Sequence, residues 1–163
     1  MNARNLRKAL SLCGVAAVSA VLFSATAQAE GCPADKRVAG GAGQKMSDAK
    51  AAGVTDTVIG AINLANEPVA IKDRTFRLRK LVVEPGGVVP WHSHGDRPAI
   101  IYIVSGEITE YASTCAVPIL HKAGEATEET HETAHWWKNL GTTTVVLLSA
   151  DLLHAGGGDD HVM

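Results

Sequence analysis

From residue 57 onward, the hydrophobic and polar positions form short runs of β-branched and aromatic residues. Gly, Pro or charged residues interrupt these runs about every 8 to 12 residues, which is typical of small all-β domains. No stretch of this region repeats apolar residues with the 3.6-residue period of an amphipathic helix over a helical length. The pattern therefore predicts a single all-β domain with the architecture of a small sandwich or barrel.

Short apolar or alternating stretches mark the predicted strands of this domain. They are residues 57–64, 69–72, 76–84, 99–106, 107–113, 117–124, 134–139 and 142–152. A sharp turn is predicted where Pro85, Gly86 and Gly87 follow one another.

Two kinds of strand pattern occur. In the run 76–84, apolar residues at 76 and 78 alternate with Arg77 and Arg79, which predicts one wet face on this half of the strand. By contrast, residues 99–104 and 144–150 are apolar almost throughout. Such runs are typical of strands that are covered on both faces.

The N-terminus resembles a secretory leader. Arg4, Arg7 and Lys8 precede an apolar stretch that is shorter than the ~20 residues of a membrane span. Small residues at Ala27 and Ala29 complete the pattern of a cleaved signal peptide. An uncleaved anchor is the less favoured alternative, because no stop-transfer pattern follows. We expect cleavage after Ala29 and a periplasmic or secreted protein that keeps no membrane anchor.

The predicted organisation has four parts. Residues 1–29 form the signal peptide, 30–56 a flexible lead-in rich in Gly, Ala and charge, 57–154 the β-domain, and 155–163 a disordered tail. The leader contains three of the 15 Lys and Arg residues and none of the 17 Asp and Glu residues, so the mature chain has a net charge of −5. This acidic balance argues against a nucleic-acid partner, which would need a basic excess to neutralise phosphates.

Cys32 and Cys115 are the cysteines that remain after cleavage of the predicted leader. In an oxidising compartment an even pair predicts one disulfide, which would tie the lead-in to the domain. Two free thiols are the alternative.

The sequence "WHSH" places His92 and His94 one residue apart. On a strand these two side chains would share a face and point into the barrel, where neutral imidazoles could bind a metal ion. A solvated pair or a packing accident is the alternative. The histidines belong to a regular spacing: Gly86, five residues, His92-x-His94, four residues, Ala99, six residues, Gly106; then Gly124, five residues, Thr130, one, Glu132, two, His135, three, Asn139.

This spacing resembles the two signature motifs of the cupin superfamily over about residues 75 to 150. Gly86, His92, His94 and Gly106 match the first motif, and Gly124, His135 and Asn139 match the second. The resemblance implies a single-domain double-stranded β-helix, or jelly roll, with a divalent metal near the middle of the barrel. The metal would be bound by His92, His94 and His135. Pairing into a homodimer is a further expectation of the resemblance.

The chain departs from the family pattern at three positions. The usual glutamate ligand falls at Ala99, and the proline and glycine of the second motif fall at Thr130 and Glu132. A three-histidine site is similar to that of some cupins that act on dioxygen, so a non-haem metal-dependent dioxygenase is one expectation. Iron, manganese, zinc, nickel and copper all accept imidazole, so the ligands do not select among these metals. Asp96 and His131 share strand parity with the histidines and are candidates for a fourth ligand.

Other residues near the motifs are candidates to line a pocket. Trp137 has the parity of His135, Tyr102 is a similar case, and Arg97 could bind a substrate carboxylate. Core packing for the aromatic residues and a surface ion pair for Arg97 are the plainer alternatives. His121 has no partner at ligand spacing and is expected to be structural or exposed.

Three functional interpretations follow from the sequence. The protein is a metal-dependent enzyme acting on a small molecule, a non-catalytic module that binds a small molecule, or a structural cupin with an empty pocket. We favour a secreted metal-binding cupin, with small-molecule oxidoreductase activity as an extension of that hypothesis.

Overall fold

The computed structural model describes residues 31–154, and in this range the protein is an eight-stranded, fully antiparallel β-structure. The strands are β1 (Ala52–Asn63), β2 (Arg74–Ser93), β3 (Ala99–Ser105), β4 (Glu107–Ala112), β5 (Ile119–Lys122), β6 (Ala126–Glu129), β7 (Ala134–Lys138) and β8 (Val145–His154). Short 3-10 turns at Ala34–Lys36 and Leu64–Asn66 are the other regular elements of this range. Within residues 31–154, no helix is long and apolar enough to cross a membrane. The predicted signal peptide and the predicted tail, residues 155–163, lie outside the described residues.

The strands follow one hydrogen-bonded path, β5-β4-β7-β2-β8-β3-β6, and β1 adds to the free side of β2. Strand β2 belongs to two parts of this path. Its first half, up to Val83, pairs with β8, whereas its second half, from Val88, pairs with β7. The bend between the halves occurs at the predicted Pro-Gly-Gly turn, where Gly86 has a φ of 78° that a residue with a Cβ rarely adopts. Since β5 and β3 also approach each other, the sheet nearly closes into the predicted jelly-roll barrel.

The core of the barrel is apolar and lies between the two halves of the path. Its buried residues are Leu81, Val83, Val89, Ala99, Ile101, Ile103, Ile108, Trp137, Val145 and Leu147. They come from inward-facing positions of β2, β3, β4, β7 and β8, two residues apart along each strand, as the pleat of a strand requires.

The outer face of β3 differs from the prediction. Its residues 99–104 were predicted to be covered on both faces, but only Ala99, Ile101 and Ile103 are buried, while Ile100 and Val104 are exposed. Strand β8 fits the prediction better, because its outward residues 146, 148 and 150 are partly buried. An apolar run thus does not by itself specify a strand that is covered on both sides.

The faces of the first half of β2 are also reversed. Arg77 and Arg79 are buried in the interior, while Phe76 and Leu78 are exposed, so the predicted wet face is the inner one. The reason is Asp151 on the neighbouring strand β8, which accepts two hydrogen bonds from Arg77, at 3.0 and 2.9 Å. Buried charges are tolerated where they are paired in this way.

Several strands differ from the prediction, either in their bounds or in whether they form at all. Residues 69–72 form a turn rather than a strand, with Ala70 and Asp73 both at positive φ. Strand β1 begins at Ala52, before the predicted domain boundary at residue 57, and β5 is shorter than the predicted 117–124. Strand β6 was not predicted, because its sequence ATEE contains only one β-branched residue, Thr127, and no aromatic residue.

The segment of residues 31–44 packs against the turn that follows β4. Cys32 and Cys115 form the predicted disulfide, and Cys115 is fully buried. Backbone hydrogen bonds support the same contact: Val38 N–H donates to the carbonyl of Thr114, at 3.0 Å, and Gly43 N–H to that of Ser113, at 2.8 Å. The lead-in therefore covers one side of the barrel.

We expect the Cys32–Cys115 bond to stabilise the domain substantially. The bond closes a loop with a sequence separation of 83 residues, so replacing both cysteines with serine should lower the free energy of unfolding by about 2–5 kcal/mol. Urea denaturation of the double variant and wild type measures the loss. The exported wild type should also take up no alkylating label without reductant, as read by intact mass. Two labels would contradict the bond.

Candidate metal centre

Strands β2 and β7 bring three histidines together. His92 lies directly opposite His135 in the register of β2 and β7. His94 follows the end of β2, and its backbone N–H donates to the carbonyl of Thr133, 2.9 Å away, just before β7. All three side chains are buried, with exposed fractions of 7% for His92, 0% for His94 and 1% for His135. The three imidazoles therefore lie in the interior, on the strand face that the sequence predicted for His92 and His94.

The Nδ1 atom of each imidazole faces an oxygen that can only accept a hydrogen bond. His92 Nδ1 donates to the carbonyl of Pro90 at 2.9 Å, His94 Nδ1 to the carbonyl of Arg97 at 2.8 Å, and His135 Nδ1 to Glu110 Oε1 at 2.6 Å. These partners fix the proton of each neutral ring on Nδ1. Each Nε2 is consequently left with a lone pair and no hydrogen.

The three Nε2 atoms face one another at the centre of the cluster. The distances between them are 3.1 Å for His92 and His94, 3.0 Å for His94 and His135, and 3.0 Å for His135 and His92. While all three rings are neutral, with their protons on Nδ1, these short contacts are not hydrogen bonds, so three lone pairs repel one another unless a cation or an added proton lies between them. The three histidines could hold a metal ion.

The donor set fits a transition-metal ion. An imidazole nitrogen lies about 2.0–2.1 Å from bound zinc, so two nitrogens around one such ion are roughly 2.9 Å apart at a right angle and roughly 3.4 Å apart at the tetrahedral angle. The observed spacing of 3.0–3.1 Å lies between these values. Outer hydrogen bonds from Nδ1 to carbonyl or carboxylate oxygens are also the arrangement that orients histidine ligands in metalloproteins.

Glu110 on β4 connects His135 to His121. Its Oε1 accepts from His135 and its Oε2 accepts from His121 Nε2, 2.8 Å away, so both carboxylate oxygens are used. The sequence predicted a structural or exposed role for His121; the structure buries it fully, and its ring stacks on Trp137 with 4.8 Å between centroids. The indole N–H of Trp137 in turn faces the ring of His135, 3.2 Å from Nδ1. These contacts fix the His135 ring from three sides.

Burial and neighbouring charges set the protonation of this cluster. Burial lowers the pKa of His92 to about 2 and that of His94 to about 3, and the charge of a protonated His135 would lower both further. Burial alone would raise the pKa of Glu110, but hydrogen bonds from His121 and His135 hold it at about 2. At neutral pH, His92 and His94 are therefore neutral, as ligation requires, and Glu110 is ionised.

Glu129 on β6 is a second buried carboxylate beside His135. Its Oε2 lies 3.4 Å from His135 Nδ1, and its Oε1 is buried without a hydrogen-bond partner. Burial raises the pKa of Glu129 to about 8. For His135, burial would lower the pKa, but the charges of Glu129 and Glu110 and the hydrogen bond to Glu110 raise it. A cavity of about 470 Å³ lies on this side of the cluster and is lined by both glutamates.

The candidates for a fourth ligand lie elsewhere. Asp96 is exposed and pairs with Arg74, 2.5 Å away, and with His154 at 3.4 Å. The side chain of His131 is 78% exposed and is nearest to Glu132. Strand β2 ends at Ser93, before it could carry Asp96 into the interior with the histidines. Neither predicted candidate therefore reaches the buried cluster.

The predicted pocket residues separate into inner and outer positions. Trp137 is buried against His135, as described above. Arg97 is also buried, and its guanidinium pairs with Asp151 at 3.0 Å rather than with a surface acid. Tyr102 lies on the outer face of β3 and is 43% exposed, so it does not line the interior. Ala99 faces inward at the position of the family's glutamate, between Glu129 on β6 and Asp151 on β8 in the strand register.

Sequence reasoning missed the carboxylates that support this site. Glu110, Glu129 and Asp151 stand in no motif, and acidic residues usually lie on the surface. For Glu110, the sequence did contain one indication that its side chain faces the interior. It shares strand parity with Ile108 and Ala112 on β4, and both of these are buried.

The comparison with protein families agrees with this geometry. Residues 79–151 match the family model described as a cupin domain. This match assigns residues 79–151, which are 73 of the 163 residues, to a cupin domain. That match confirms the resemblance that the spacing of glycines and histidines indicated. A comparison with curated proteins finds no match.

Several solved structures resemble this chain at low sequence identity. A predicted oxalate decarboxylase from Thermotoga maritima is 25% identical, with a TM-score of 0.43 over 47% of this chain and 65% of that one. The Cnp3 cupin domain from Schizosaccharomyces pombe is 14% identical, with a TM-score of 0.49 over 67% of each chain. An oxalate oxidase in complex with glycolate is 18% identical, with a TM-score of 0.48 over 65% and 53%. This chain thus spans about two thirds or less of the length of these structures.

Proposed function

We propose that this protein is an exported cupin that binds one divalent transition metal through His92, His94 and His135. The observation that carries the proposal is the orientation of the three imidazoles. Each Nδ1 proton is engaged by a fixed acceptor, and the three Nε2 lone pairs converge within 3.0–3.1 Å. A purely structural cluster would instead be expected to alternate donors and acceptors, because buried polar groups are normally hydrogen-bonded.

We propose further that the site serves small-molecule oxidoreductase chemistry. Ala99 supplies no ligand, and among the described residues neither Asp96 nor His131 reaches the cluster. An ion bound to the three nitrogens would therefore take its further ligands from water or a small molecule. When bound, a redox-active ion such as iron, manganese or copper would supply Lewis acidity and one-electron chemistry. The residues of the chain hold the ligands in place: Glu110 orients His135, and the carbonyl of Arg97 orients His94.

The proposed location is the periplasm or the cell exterior. Support comes from the Cys32–Cys115 disulfide, since such bonds persist mainly in oxidising compartments. The leader-like composition of residues 1–29 gives the same expectation. The mass of the exported protein measures this directly, because cleavage after Ala29 leaves 134 of the 163 residues.

Metal content tests the ligand assignment. Wild-type protein purified without added metal and then loaded should retain about one equivalent after dialysis, and His94→Ala or His135→Ala should lose most of it. Removing even a residue that only orients a metal ligand typically lowers affinity by about 10–100-fold, and removing the ligand itself should lower it at least as much. Elemental analysis measures the content. His131→Ala is the matched control and should retain the metal, since its side chain is exposed. Retention of a full equivalent by both ligand variants would refute the assignment.

Oxygen consumption separates the enzyme from a binding module. The loaded wild type, screened against small organic substrates in an oxygen electrode, should consume dioxygen with at least one of them, and His94→Ala should not. A metal-loaded protein that binds such compounds in a thermal-shift screen without consuming oxygen would instead support the non-catalytic alternative.

A further inference from the structure

One outer side of the barrel is apolar. Strands β1, β2, β8 and β3 lie side by side there, and on β2 the arginines point inward to Asp151, which leaves the apolar residues of that strand outside. We call this surface the apolar face, and its members are Ile62, Phe76, Leu78, Ile100, Tyr102, Val104, Leu148, Ala150 and Leu152. Those from β1, β2 and β3 are between 36% and 55% exposed, and those from β8 are partly buried.

The strand register makes the apolar face continuous. Residues that lie opposite each other on neighbouring strands share a face, with Cβ atoms about 4.5–5.5 Å apart. The resulting rows across the sheet are Ile62–Phe76–Leu152, Leu78–Ala150–Ile100 and Leu148–Tyr102. The exposed apolar residues therefore form one surface and are not scattered singly.

The size of the apolar face suits a protein interface. Four strands spaced about 4.8 Å apart, with the length of residues 76–82 at about 3.3 Å per residue, cover roughly 450 Å² in flat projection. Side chains that stand up from the sheet raise the accessible area above this projection, towards the ~800 Å² that each partner contributes to a standard interface. Soluble monomers rarely leave contiguous apolar patches larger than a few hundred Å² in contact with water.

The charge of the apolar face favours a second copy of this chain as its occupant. In the stretches 76–82, 100–104 and 146–152, Lys80 is the one outward-facing charged residue. An anionic membrane would be expected to contact several Lys or Arg residues. The last residues of the chain, 155–163, are mostly glycine, aspartate and histidine and offer little apolar surface. A copy of the same face offers an apolar surface of equal size without excess charge.

We propose that the protein forms a two-fold symmetric dimer in which the apolar face of one copy packs against that of the second. Sheets that pack face to face keep their strands within about 30° of each other. In the order β2-β8-β3-β6, a two-fold axis that runs along the strands between β8 and β3 places β2 of each copy over β6 of the other. This dimer uses the outside of the barrel, so it needs no metal at the three histidines.

The two charged residues beside the apolar face agree with this arrangement. Lys80 lies on β2, whereas Glu128 lies on β6, next to Ile100 in the register. Glu128 belongs to the row of Leu78, which is two residues from Lys80 along β2. In the proposed dimer Lys80 of each copy therefore lies near Glu128 of the other, so that opposite charges meet.

Sedimentation velocity of the exported protein tests the association. We expect a species with the mass of two chains at micromolar concentrations, and it should persist in high salt, because apolar burial is screened little by ions. A mass of one chain over the whole concentration range would overturn the proposal. Flotation of a monomeric protein with phospholipid vesicles would also overturn it, in favour of a membrane surface.

Two variants locate the interface. Ile100→Lys and Leu78→Lys each place an unpaired charge in the dimer twice, once from each copy, and each should weaken dimerisation at least about hundredfold. Leu120→Lys is the matched control and should leave the dimer unchanged, because Leu120 is an exposed leucine on β5, outside the apolar face. Far-UV circular dichroism checks that each variant is folded. A dimer that survives both Ile100→Lys and Leu78→Lys would refute the location.

A charge exchange tests the orientation of the two copies. Lys80→Glu should weaken dimerisation severalfold, because it brings two glutamates together at each end of the interface, and adding Glu128→Lys should restore it. Both residues are exposed, so this test holds even if a variant of the apolar residues does not fold. No weakening by Lys80→Glu, or no recovery in the double variant, would overturn the two-fold arrangement.

Discussion

Replacing Asp151 with asparagine should lower the free energy of unfolding more than any other single-residue variant described above. Asp151 is buried on β8 and pairs with Arg77 at 2.9 Å, Arg97 at 3.0 Å and Arg79 at 3.4 Å. Hydrogen bonds and charges from these arginines lower its pKa, although burial by itself would raise it. Without the carboxylate, three buried guanidinium groups would surround a neutral amide, and loss of one partner of a buried pair costs about 3–5 kcal/mol. Typical domains have only about 5–15 kcal/mol of stability.

Urea denaturation of Asp151→Asn and wild type measures this loss. Asp96→Asn is the matched control, because Asp96 also pairs with an arginine but at the surface, and little change is expected there. A further consequence is weaker metal binding by the folded fraction of Asp151→Asn, since Arg97 presents the carbonyl that orients His94. An Asp151→Asn protein as stable as wild type would contradict the role assigned to this carboxylate.

The metal-free protein should lose stability steeply in acid. His92 and His94 have folded pKa values of about 2 and 3, below their ordinary value of 6.5. Below pH 6.5 the unfolded chain therefore binds two protons that the folded state excludes. Between pH 6.5 and 4.5 Glu129 has the opposite effect, because its carboxyl group is protonated in the folded state, with a pKa of about 8, but ionised in the unfolded chain, with a pKa of 4.5. It therefore cancels one of the two protons. The net difference of one proton lowers stability by about 1.4 kcal/mol per pH unit in this range.

Below pH 4.5 the decline should become steeper. Glu129 is then protonated in both states and no longer compensates, while Glu110 keeps a folded pKa of about 2 and excludes a third proton. Above pH 6.5 the sign reverses, since folded Glu129 and His135 have raised pKa values and hold protons that the unfolded chain releases. The metal-free protein should consequently be most stable near pH 6.5.

Denaturation midpoints of metal-free protein between pH 3 and 9 measure this profile. In the Glu129→Gln variant the decline above pH 6.5 should become smaller, and the acid decline should start with the full two-proton slope below pH 6.5. A profile that is flat from pH 6.5 to 4 would show that the two histidines are accessible to protons in the folded state, and so are not buried as described.

The fold and the clustering of the three histidines were predictable because they depend on local spacing. Histidines two residues apart on a strand share a face whatever the rest of the chain does. The glycines of the two motifs likewise mark turns, as the φ of 81° at Gly106 shows. The disulfide followed from the even number of cysteines that remain after the predicted leader.

What could not be predicted depends on partners distant in sequence. Arg77 lies 74 residues from Asp151, and Glu110 lies 25 residues from His135. From the alternation of apolar and polar residues alone, an arginine is predicted on the solvent-exposed face of a strand. The buried carboxylate that would stabilise it in the interior cannot be recognised from the sequence. Strand β6 was not predicted for the same reason. Its inward-facing residue Glu129 is an acid, and Thr127 is its one β-branched residue.

Diffraction at the absorption edge of the loaded metal tests the central claim most directly. Crystals of the zinc-loaded protein should show one strong anomalous peak about 2.0–2.1 Å from the Nε2 atoms of His92, His94 and His135, the usual distance for imidazole ligands of zinc. The peak should be missing from crystals of His94→Ala prepared in the same way. A wild-type map without a peak at the three Nε2 atoms, or with its peak at Glu110 and Glu129 instead, would contradict the account.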